Sequence, residues 1–248
     1  MTSLDGWHLA WHDEFDGPVG CAPDPLVWTA QLGGGGWGNG ELQTYTDAPD
    51  NVALDGDGHL VISARATTTE SGDASWTSAR ITTAGKRTAG HGLFRVRARV
   101  PSGVGIWPAA WTLGQDIGQV GWPRCGEIDL IECVGDATTA LQTVHGGGPD
   151  ARHWQLGVPT AFSVPLSDGF HTYSAEWSEE RIVFAIDGEV TGVVRAQDAV
   201  GSRVWPFDGP QHVLLNVAVG GSLPGPPDAT TPAVASMVVD WVRVYRRP

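Results

Sequence analysis

The segment Phe94-Arg-Val-Arg-Ala-Arg-Val100 alternates apolar and charged side chains, and Val238-Val-Asp-Trp-Val-Arg-Val-Tyr245 carries a similar alternation near the end of the chain. Side chains of a β-strand point to opposite faces with a period of two, so each segment predicts a strand with one apolar and one polar face. Antiparallel sheets with one face in water produce this pattern. The two segments therefore indicate an all-β protein.

Further β-rich segments separated by turn signals extend this prediction over the chain. The predicted strands run from Trp7 to Trp11, His59 to Ala66, Trp76 to Thr83, Gly92 to Val100, Ile106 to Leu113, Ile128 to Val134, Leu141 to His145, Phe170 to Trp177, Ile182 to Ile186, Val213 to Val219 and Met237 to Tyr245. Asp187-Gly188 lies between two apolar runs and predicts a two-residue hairpin turn. So many short strands predict a β-sandwich or jelly roll built from two sheets.

Stretches rich in Gly and Pro interrupt the strands at Gly33 to Gly40, Gly114 to Cys125, Gly146 to Gly157 and Gly220 to Val234. We expect them to be rim loops around a site rather than linkers, because long loops in compact domains are often functional. No internal repeat and no break in composition divides the chain. Residues 1–248 are therefore predicted to form a single domain, which suits the length of an all-β sandwich.

Charge and composition limit the partners. The formal net charge is −13 at pH 7, which would repel nucleic acid and anionic membrane surfaces. The chain has neither a long apolar run nor a signal-peptide pattern at its start, so we expect an intracellular protein or a mature secreted one. Three cysteines, Cys21, Cys125 and Cys133, cannot all pair within one chain and lack zinc-site spacing. Twelve tryptophans predict that some rings face a groove.

Three acids lie within the β-forming segment Gly126-Glu-Ile-Asp-Leu-Ile-Glu-Cys133, although strands disfavour acidic residues. Alternation points Glu127 and Asp129 to one face and would point Glu132 to the other. One extra residue in a β-bulge between Asp129 and Glu132 would return Glu132 to the same face. Inward-leaning Glu127 and Glu132 side chains would then approach the separation of roughly 5–5.5 Å that suits retaining glycoside hydrolysis.

The alternative is that this strand is a solvated sheet edge or a cation site. Spacing by itself favours this alternative and the catalytic explanation equally. The local context favours a sugar site. Trp107, Trp111 and Trp122 lie just upstream, and sugars stack their apolar faces on such rings while their hydroxyls bind polar neighbours.

The segment Glu127-Ile-Asp-Leu-Ile-Glu132 resembles the ExDxxE signature of glycoside hydrolase family 16, in the bulged form of its laminarinase-type β-1,3-glucanases. The resemblance runs almost end to end. It is carried further by Asp13-Glu-Phe-Asp-Gly17, Gly35-Gly-Trp-Gly-Asn-Gly-Glu-Leu-Gln43, Thr77-Ser-Ala-Arg-Ile81, Gly105-Ile-Trp-Pro-Ala109, Trp122-Pro-Arg-Cys-Gly-Glu127, Pro206-Phe-Asp208, Leu215-Asn-Val-Ala-Val-Gly-Gly221 and Val239-Asp-Trp-Val-Arg-Val-Tyr245.

The resemblance implies a β-jelly-roll sandwich of two antiparallel sheets with a concave substrate cleft. It implies endo-acting, retaining hydrolysis of internal β-1,3 bonds, or mixed β-1,3/1,4 bonds, in neutral β-glucans, with no cofactor for catalysis. Two alternatives stay open, a transglycosylase that uses the same carboxylates and a glucan-binding module on the same scaffold. The intact acids argue against the binding module. Extracellular action of a monomer, with the signal peptide already removed, follows from the same resemblance.

The resemblance also implies roles for individual residues. Glu127 would be the nucleophile, Glu132 the general acid/base and Asp129 the residue that orients and tunes Glu127. The implied substrate-binding residues are Asn39, Glu41, Arg80, Trp107, Trp111, Trp122, His145 and Asn216.

Structural explanations compete with these binding roles. Arg80 could form a surface ion pair, His145 could lie in a loop before three glycines, and Asn216 could tie adjacent strands. Because alternation allows both faces of the strand, we expect either Trp107 or Trp111 to pack in the core.

A structural calcium ion on the side away from catalysis is also implied by the resemblance. The carbonyls of Glu14 and Gly58 and the carboxylate of Asp240 would supply its oxygen ligands, which suit a hard cation. The alternative for Asp240 is an exposed strand acid.

Overall fold

A computed structural model describes residue 4 and residues 6–68, 74–148, 152–199 and 204–247 of the chain. Seventeen strands occur in these residues: β1 His8–Asp13, β2 Thr29–Ala30, β3 Gln43–Tyr45, β4 Val52–Leu54, β5 Leu60–Thr68, β6 Ala74–Ser78, β7 Arg80–Thr82, β8 Gly92–Arg99, β9 Ile106–Gly114, β10 Glu127–Cys133, β11 Thr139–Gly147, β12 His153–Ala161, β13 His171–Trp177, β14 Arg181–Ile186, β15 Glu189–Arg195, β16 Gln211–Val219 and β17 Val234–Arg246. Helix is confined to α1, Ile117–Val120, and two 3-10 turns, Leu166–Asp168 and Ala196–Asp198. None of the described helices has the length and apolar character needed to cross a membrane.

The strands form two sheets. The larger has ten strands, with the order β15-β14-β13-β8-β17-β5-β6-β3 and with β1 and β4 paired to β17 and β5. The smaller, which we call the cleft sheet, has seven strands in the order β12-β11-β10-β9-β16-β7-β2. Every pairing is antiparallel except that of β3 with β6, so the predicted two-sheet sandwich is confirmed.

The core contains the apolar faces of both sheets. On β8, Phe94, Val96 and Ala98 are buried while the intervening arginines are not, as the alternation predicts. On β17 the alternation breaks at Asp240, because a bulge opposite β8 leaves Trp241 and Val242 both buried. The cleft sheet contributes its own apolar face, including residues of β10 and β16, to the same hydrophobic cluster.

Most predicted strands are present, and the turn at Asp187-Gly188 joins β14 to β15 with positive φ at both residues, 53° and 90°. The predicted loop from Gly146 to Gly157 is wrong at both ends, since β11 continues to Gly147 and β12 begins at His153. Its positions 149–151 lie outside the described residues. β12 is the edge strand of its sheet and pairs with β11 at nine positions. This pairing, rather than an apolar pattern in its own sequence, defines the strand.

The bulge predicted in β10 is present. Against β11, Asp129 pairs with Thr143 and Glu132 with Leu141, so three steps along β10 match two along β11. The extra residue turns both Leu130 and Ile131 into the core, where they are 2% and 0% exposed. Because the register shifts by one, Glu132 returns to the face that carries Glu127 and Asp129.

Candidate active site

A cleft runs across the outer face of the cleft sheet. It consists of two adjoining cavities of about 380 and 620 Å³, which share Asn39, Trp107, Trp122, Glu127 and Glu132 as lining residues. The smaller cavity extends over β9, β16 and β7, and the larger over β11 and β12. The three acids of β10 therefore lie in the middle of a groove that continues on both sides.

Both tryptophans of β9 line the cleft, so the expectation that one of them packs in the core is wrong. Trp107, Ala109, Trp111 and Leu113 are two residues apart in turn and all line the smaller cavity. Residues four apart on a regular strand share a face, so alternation puts Trp107 and Trp111 together. The core-facing positions of this strand are taken by Ile106 and Ala110.

Each of the two glutamates accepts a hydrogen bond from an indole. Trp122 Nε1 donates to Glu127 Oε2 at 3.0 Å, and Trp107 Nε1 donates to Glu132 Oε1 at 2.8 Å. Asp129 lies between them and is 2% exposed. The two glutamates thus have separate indole partners, one from the loop before β10 and one from β9.

Burial dominates the electrostatics of this strand. Burial, with the charge of Asp129 as the next cause, raises the pKa of Glu127 and of Glu132 to about 8. Burial also raises the pKa of Asp129 well above its usual range. Neighbouring carboxylates in low dielectric disfavour simultaneous ionisation, so the group retains a proton near neutral pH. The indole N–H groups and His145 oppose this effect at both glutamates.

His145 lies on β11 directly opposite Glu127 in the strand register, so it is not the loop residue of the alternative explanation. Its Nε2 is 3.1 Å from Asp129 Oδ2 and 3.7 Å from Glu127 Oε1. These three side chains bring one nitrogen or oxygen atom each within 4.8 Å of one another, so a charge on any of them acts on the other two. His145 therefore lies beside Asp129 and Glu127, the two acids that are not bonded to the Trp107 indole.

A hydrogen-bonded chain connects the loop before β3 to β16. Asn39 Nδ2 donates to Glu41 Oε1 at 2.9 Å, and Tyr45 OH donates to Glu41 Oε2 at 3.2 Å. Asn216 Nδ2 donates to Tyr45 OH at 3.2 Å, and Asn216 Oδ1 accepts from Trp111 Nε1 at 2.7 Å. Asn216 both lines the cleft and ties strands together, which unites the two explanations given for it.

Arg80 is largely buried, and this burial is the main cause that lowers its pKa. The alternative explanation, a surface ion pair, is therefore wrong for Arg80. Its guanidinium carbon lies 4.9 Å from the ring centre of Trp37 and 4.7 Å from that of Trp111. A guanidinium over two indole faces gains cation–π attraction in place of hydration. Arg80 consequently fixes two tryptophans at one end of the smaller cavity.

All eight residues predicted to bind substrate line one of the two cavities, and their roles stay predictions. Sequence analysis missed Trp37, Tyr45, His153 and Gln155. The abundance of tryptophan and the prediction of rim loops gave a general signal for Trp37. No local signal identified His153, because it stands in a stretch that was assigned to a loop.

Two of the three residues of the predicted calcium site, Glu14 and Gly58, are neighbours. A Cβ added at Gly58 would lie 4.0 Å from the carbonyl oxygen of Glu14 and 3.8 Å from Asp16 Oδ1, so these groups are neighbours. The carboxylate of Asp240 forms an ion pair with Arg97 and its side chain is 25% exposed, so it is not the exposed strand acid of the alternative explanation. Oxygen donors suit a hard cation, but an arginine competes for one of them. This site stays a prediction.

Paired carboxyls on one face of a strand, in a tryptophan-lined groove that is open along its length, define a glycoside hydrolase that acts on a chain-like sugar. Residues 39–243 match the glycosyl hydrolases family 16, and the chain belongs to this family.

Similar proteins agree with this assignment. The chain is 41% identical to the protein named beta-glucanase from Rhodothermus marinus, over 97% of this chain and 85% of that protein. The laminarinase catalytic domain of Thermotoga maritima MSB8 has a TM-score of 0.86 and 41% identity, covering 98% and 99% of the two chains. SCLam, described as a non-specific endo-β-1,3(4)-glucanase with a bound glucan oligosaccharide at its active site, has a TM-score of 0.85 and 35% identity, covering 100% and 97%.

Proposed function

We propose that this protein is an endo-acting, retaining glucanase that hydrolyses internal β-1,3 bonds of laminarin-type glucans and accepts mixed β-1,3/1,4 glucans as well. The observation that carries this proposal is the bulge of β10, which brings Glu132 to the same cleft face as Glu127 and Asp129. The similarity to a laminarinase domain and to a β-1,3(4)-glucanase supports the substrate class.

In the proposed reaction Glu127 attacks the anomeric carbon of the sugar bound on one side of the acids. The bond from that carbon to the glycosidic oxygen breaks, and the proton of Glu132 passes to the departing oxygen. Water then adds to the anomeric carbon of the glycosyl-enzyme, Glu132 takes its proton, and Glu127 leaves as a carboxylate. Two inversions at one carbon give net retention.

The different surroundings of the two glutamates support this division of roles. His145 and the Trp122 indole stand beside Glu127 and favour its ionised form, which is the nucleophile. Asp129 raises the pKa of both glutamates, so the difference between them is the His145 ring 3.7 Å from Glu127. With His145 beside Glu127, Glu132 is the glutamate expected to hold the proton that an acid needs.

The open cleft supports endo action on a neutral polymer. A cavity extends from the acids in each direction across the sheet, so sugar units on both sides of the scissile bond would find room. Trp107, Trp111 and the half-exposed Trp122 offer ring faces on which apolar sugar faces stack. Neutral sugars also avoid the repulsion that a net charge of −13 would impose on a polyanion.

The test is incubation with laminarin and with mixed-linkage β-glucan, with assays for reducing ends and product size. Endo action gives a rapid fall in polymer length and a ladder of oligosaccharides, and NMR of the first product detects the β-anomer if configuration is retained. No release of reducing ends from either polymer would refute the proposal. Longer products at high oligosaccharide concentration would indicate the transglycosylase instead, and tight binding without cleavage the glucan-binding module.

Three further statements belong to this proposal. We place the action outside the cell, because a glucan polymer is too large to enter one, and native protein found only in cytosol would contradict this. We expect a monomer, which sedimentation velocity would check. We also propose that Ca²⁺ binds at Glu14, Gly58 and Asp240, with the Arg97 guanidinium displaced from the Asp240 carboxylate.

A further inference from the structure

His153, the first residue of β12, lies edge to edge with His145. The ring planes differ by 9° and the centroids are 5.1 Å apart, while His145 Nδ1 and His153 Nε2 are separated by 2.9 Å. The distance between the ring centres is longer than the N···N distance by about two ring radii. The two facing nitrogens therefore lie almost on the line that joins the ring centres, so the rings are side by side and nearly coplanar. This is the geometry of a linear N–H···N hydrogen bond.

Such a bond restricts how many protons the two rings hold. One proton occupies the space between Nδ1 of His145 and Nε2 of His153, so the rings cannot both be imidazolium ions in this arrangement. When the pair carries one positive charge, three protons are distributed over four nitrogens. Two of them must then lie on the outer nitrogens, and one of those is His145 Nε2.

The outer nitrogen of His145 is the one that faces the acids. Its distances to Asp129 Oδ2 and Glu127 Oε1 are 3.1 and 3.7 Å, and Asp129 Oδ2 has no hydrogen-bond partner in the described part of the chain, so a proton on this nitrogen places positive charge beside both carboxyls without a well-aligned hydrogen bond. In the neutral pair a single outer proton remains, and the carboxylates favour its placement on His145 rather than on the far side of His153. In both states the His145 Nε2 atom, which lies beside the acids, carries a proton.

Among the described residues, the ionisable groups near the pair come from β10, from the loop before it and from the start of β12. From β10 the ionisable groups are Glu127, Asp129 and Glu132, and from the preceding loop Arg124, whose Nε donates to the Val120 carbonyl. Arg152 precedes His153 in the chain. Burial lowers the pKa of His153, and His145 lowers it further. The Trp122 ring, 4.8 Å from that of His153 between centroids, covers the pair from the loop side.

We propose that His153 is a positioning residue for the reaction, which through its hydrogen bond to Nδ1 fixes His145 with a protonated Nε2 beside Asp129 and Glu127. This rests on the proposed glucanase function. Without His153, Nδ1 of His145 opens to the cleft and a neutral ring can carry its proton on either nitrogen. Glu127 then loses the nearby positive charge that favours its ionised form. The nucleophile then ionises at higher pH.

The test compares His153→Ala with His153→Gln, whose side-chain amide can still donate to His145 Nδ1. For the alanine variant we expect kcat on laminarin to fall roughly tenfold with KM changed by less than about twofold, as for other partners that orient a functional histidine. The acid limb of its pH profile moves to higher pH. The glutamine variant keeps kcat within about threefold, with the acid limb near that of the wild type. His171→Ala, which removes a histidine bonded to Asp187 on the other sheet, is the matched control.

A second measurement does not depend on activity. Long-range ¹H–¹⁵N spectra of histidine-labelled protein report which nitrogen of His145 is protonated, with its peaks identified by their absence in His145→Gln. We expect protonated Nε2 in the wild type and in His153→Gln, and a mixture of tautomers in His153→Ala. An unchanged tautomer, or an acid limb that stays or moves to lower pH, would overturn the role of His153. A wild-type protein inert on glucans would refute the function instead.

Discussion

The indole Nε1 of Trp107 donates to Oε1 of Glu132 at 2.8 Å and connects β9 to the strand that carries the acids. This hydrogen bond opposes the effects of burial and of Asp129, which together raise the pKa of Glu132 to about 8. Trp107 therefore limits how tightly Glu132 holds its proton, in addition to offering a ring to the substrate.

Trp107→Phe is expected to lower kcat by about tenfold, the effect of losing one hydrogen bond to a charged group. Because the N–H favours the ionised form, its loss raises the pKa of Glu132, and the alkaline limb of the kcat/KM profile moves to higher pH. The control is Trp28→Phe, which removes an indole hydrogen bond of the same length to Asp13, outside the cleft. An unmoved alkaline limb in Trp107→Phe would contradict this account.

Glu132→Gln is expected to lower activity on laminarin by roughly 10²- to 10⁴-fold, the usual contribution of a general acid. Aryl glucosides whose phenol leaves without a proton should still form the glycosyl-enzyme in this variant, so a burst of phenol is expected. Glu127→Gln lacks the nucleophile and should show no burst. Full activity in either variant, or a burst from Glu127→Gln, would disprove the assigned roles.

Thermal unfolding of the same variants should depend on pH in a defined way. The folded-state pKa of Glu127 is raised to about 8, so its neutral form is favoured on folding. That contribution is fully present below the unfolded pKa of about 4.3 and is lost as pH rises through about 8. Glu127→Gln removes this dependence, so its Tm relative to the wild type should increase between pH 5 and pH 8. A Tm difference that stays constant with pH would contradict the raised pKa.

Trp122 combines a ring face with a hydrogen bond to Glu127, and two substitutions separate these contributions. Trp122→Phe keeps a ring and loses the N–H, so we expect mainly a lower kcat. Trp122→Ala also loses the stacking surface, worth about 0.5–1.5 kcal/mol, which predicts a further rise in KM of about 2- to 12-fold. Equal KM values on laminarin oligosaccharides for the two variants would show that the ring makes no contact with sugar.

Calcium should raise Tm if Glu14, Gly58 and Asp240 bind it. At a Ca²⁺ concentration of about a hundred times Kd, binding adds about 2.7 kcal/mol to the free energy of unfolding. In a protein of this size each kcal/mol raises Tm by roughly 2–4 °C. Asp240→Asn should abolish the increase, while Asp187→Asn, on the hairpin turn of the same sheet, should retain it. Identical melting curves in Ca²⁺ and in chelator would exclude the site.

The bulge of β10 could be predicted, because three carboxyls in one short β-forming segment must either face water or share a function, and the nearby tryptophans favoured a shared function. The roles of the acids stay predictions. Trp107 and Trp111 were assigned to different faces although their spacing puts them on one. The alternation in β17 was predicted to be unbroken, and the bulge at Asp240 breaks it. β12 was missed because an edge strand with few buried side chains lacks a continuous apolar signal.

The sequence by itself determined the class of fold, the strand that carries the acids and the family, since alternation, turn residues and short motifs are local properties of the chain. Only the tertiary structure decided which side chains meet across strands. Arg80 reaches Trp37 and Trp111, and His153 reaches His145, through pairings between segments far apart in sequence or hidden by glycine-rich composition. Register fixes such contacts, and a shift of one residue reverses the face of every side chain beyond it.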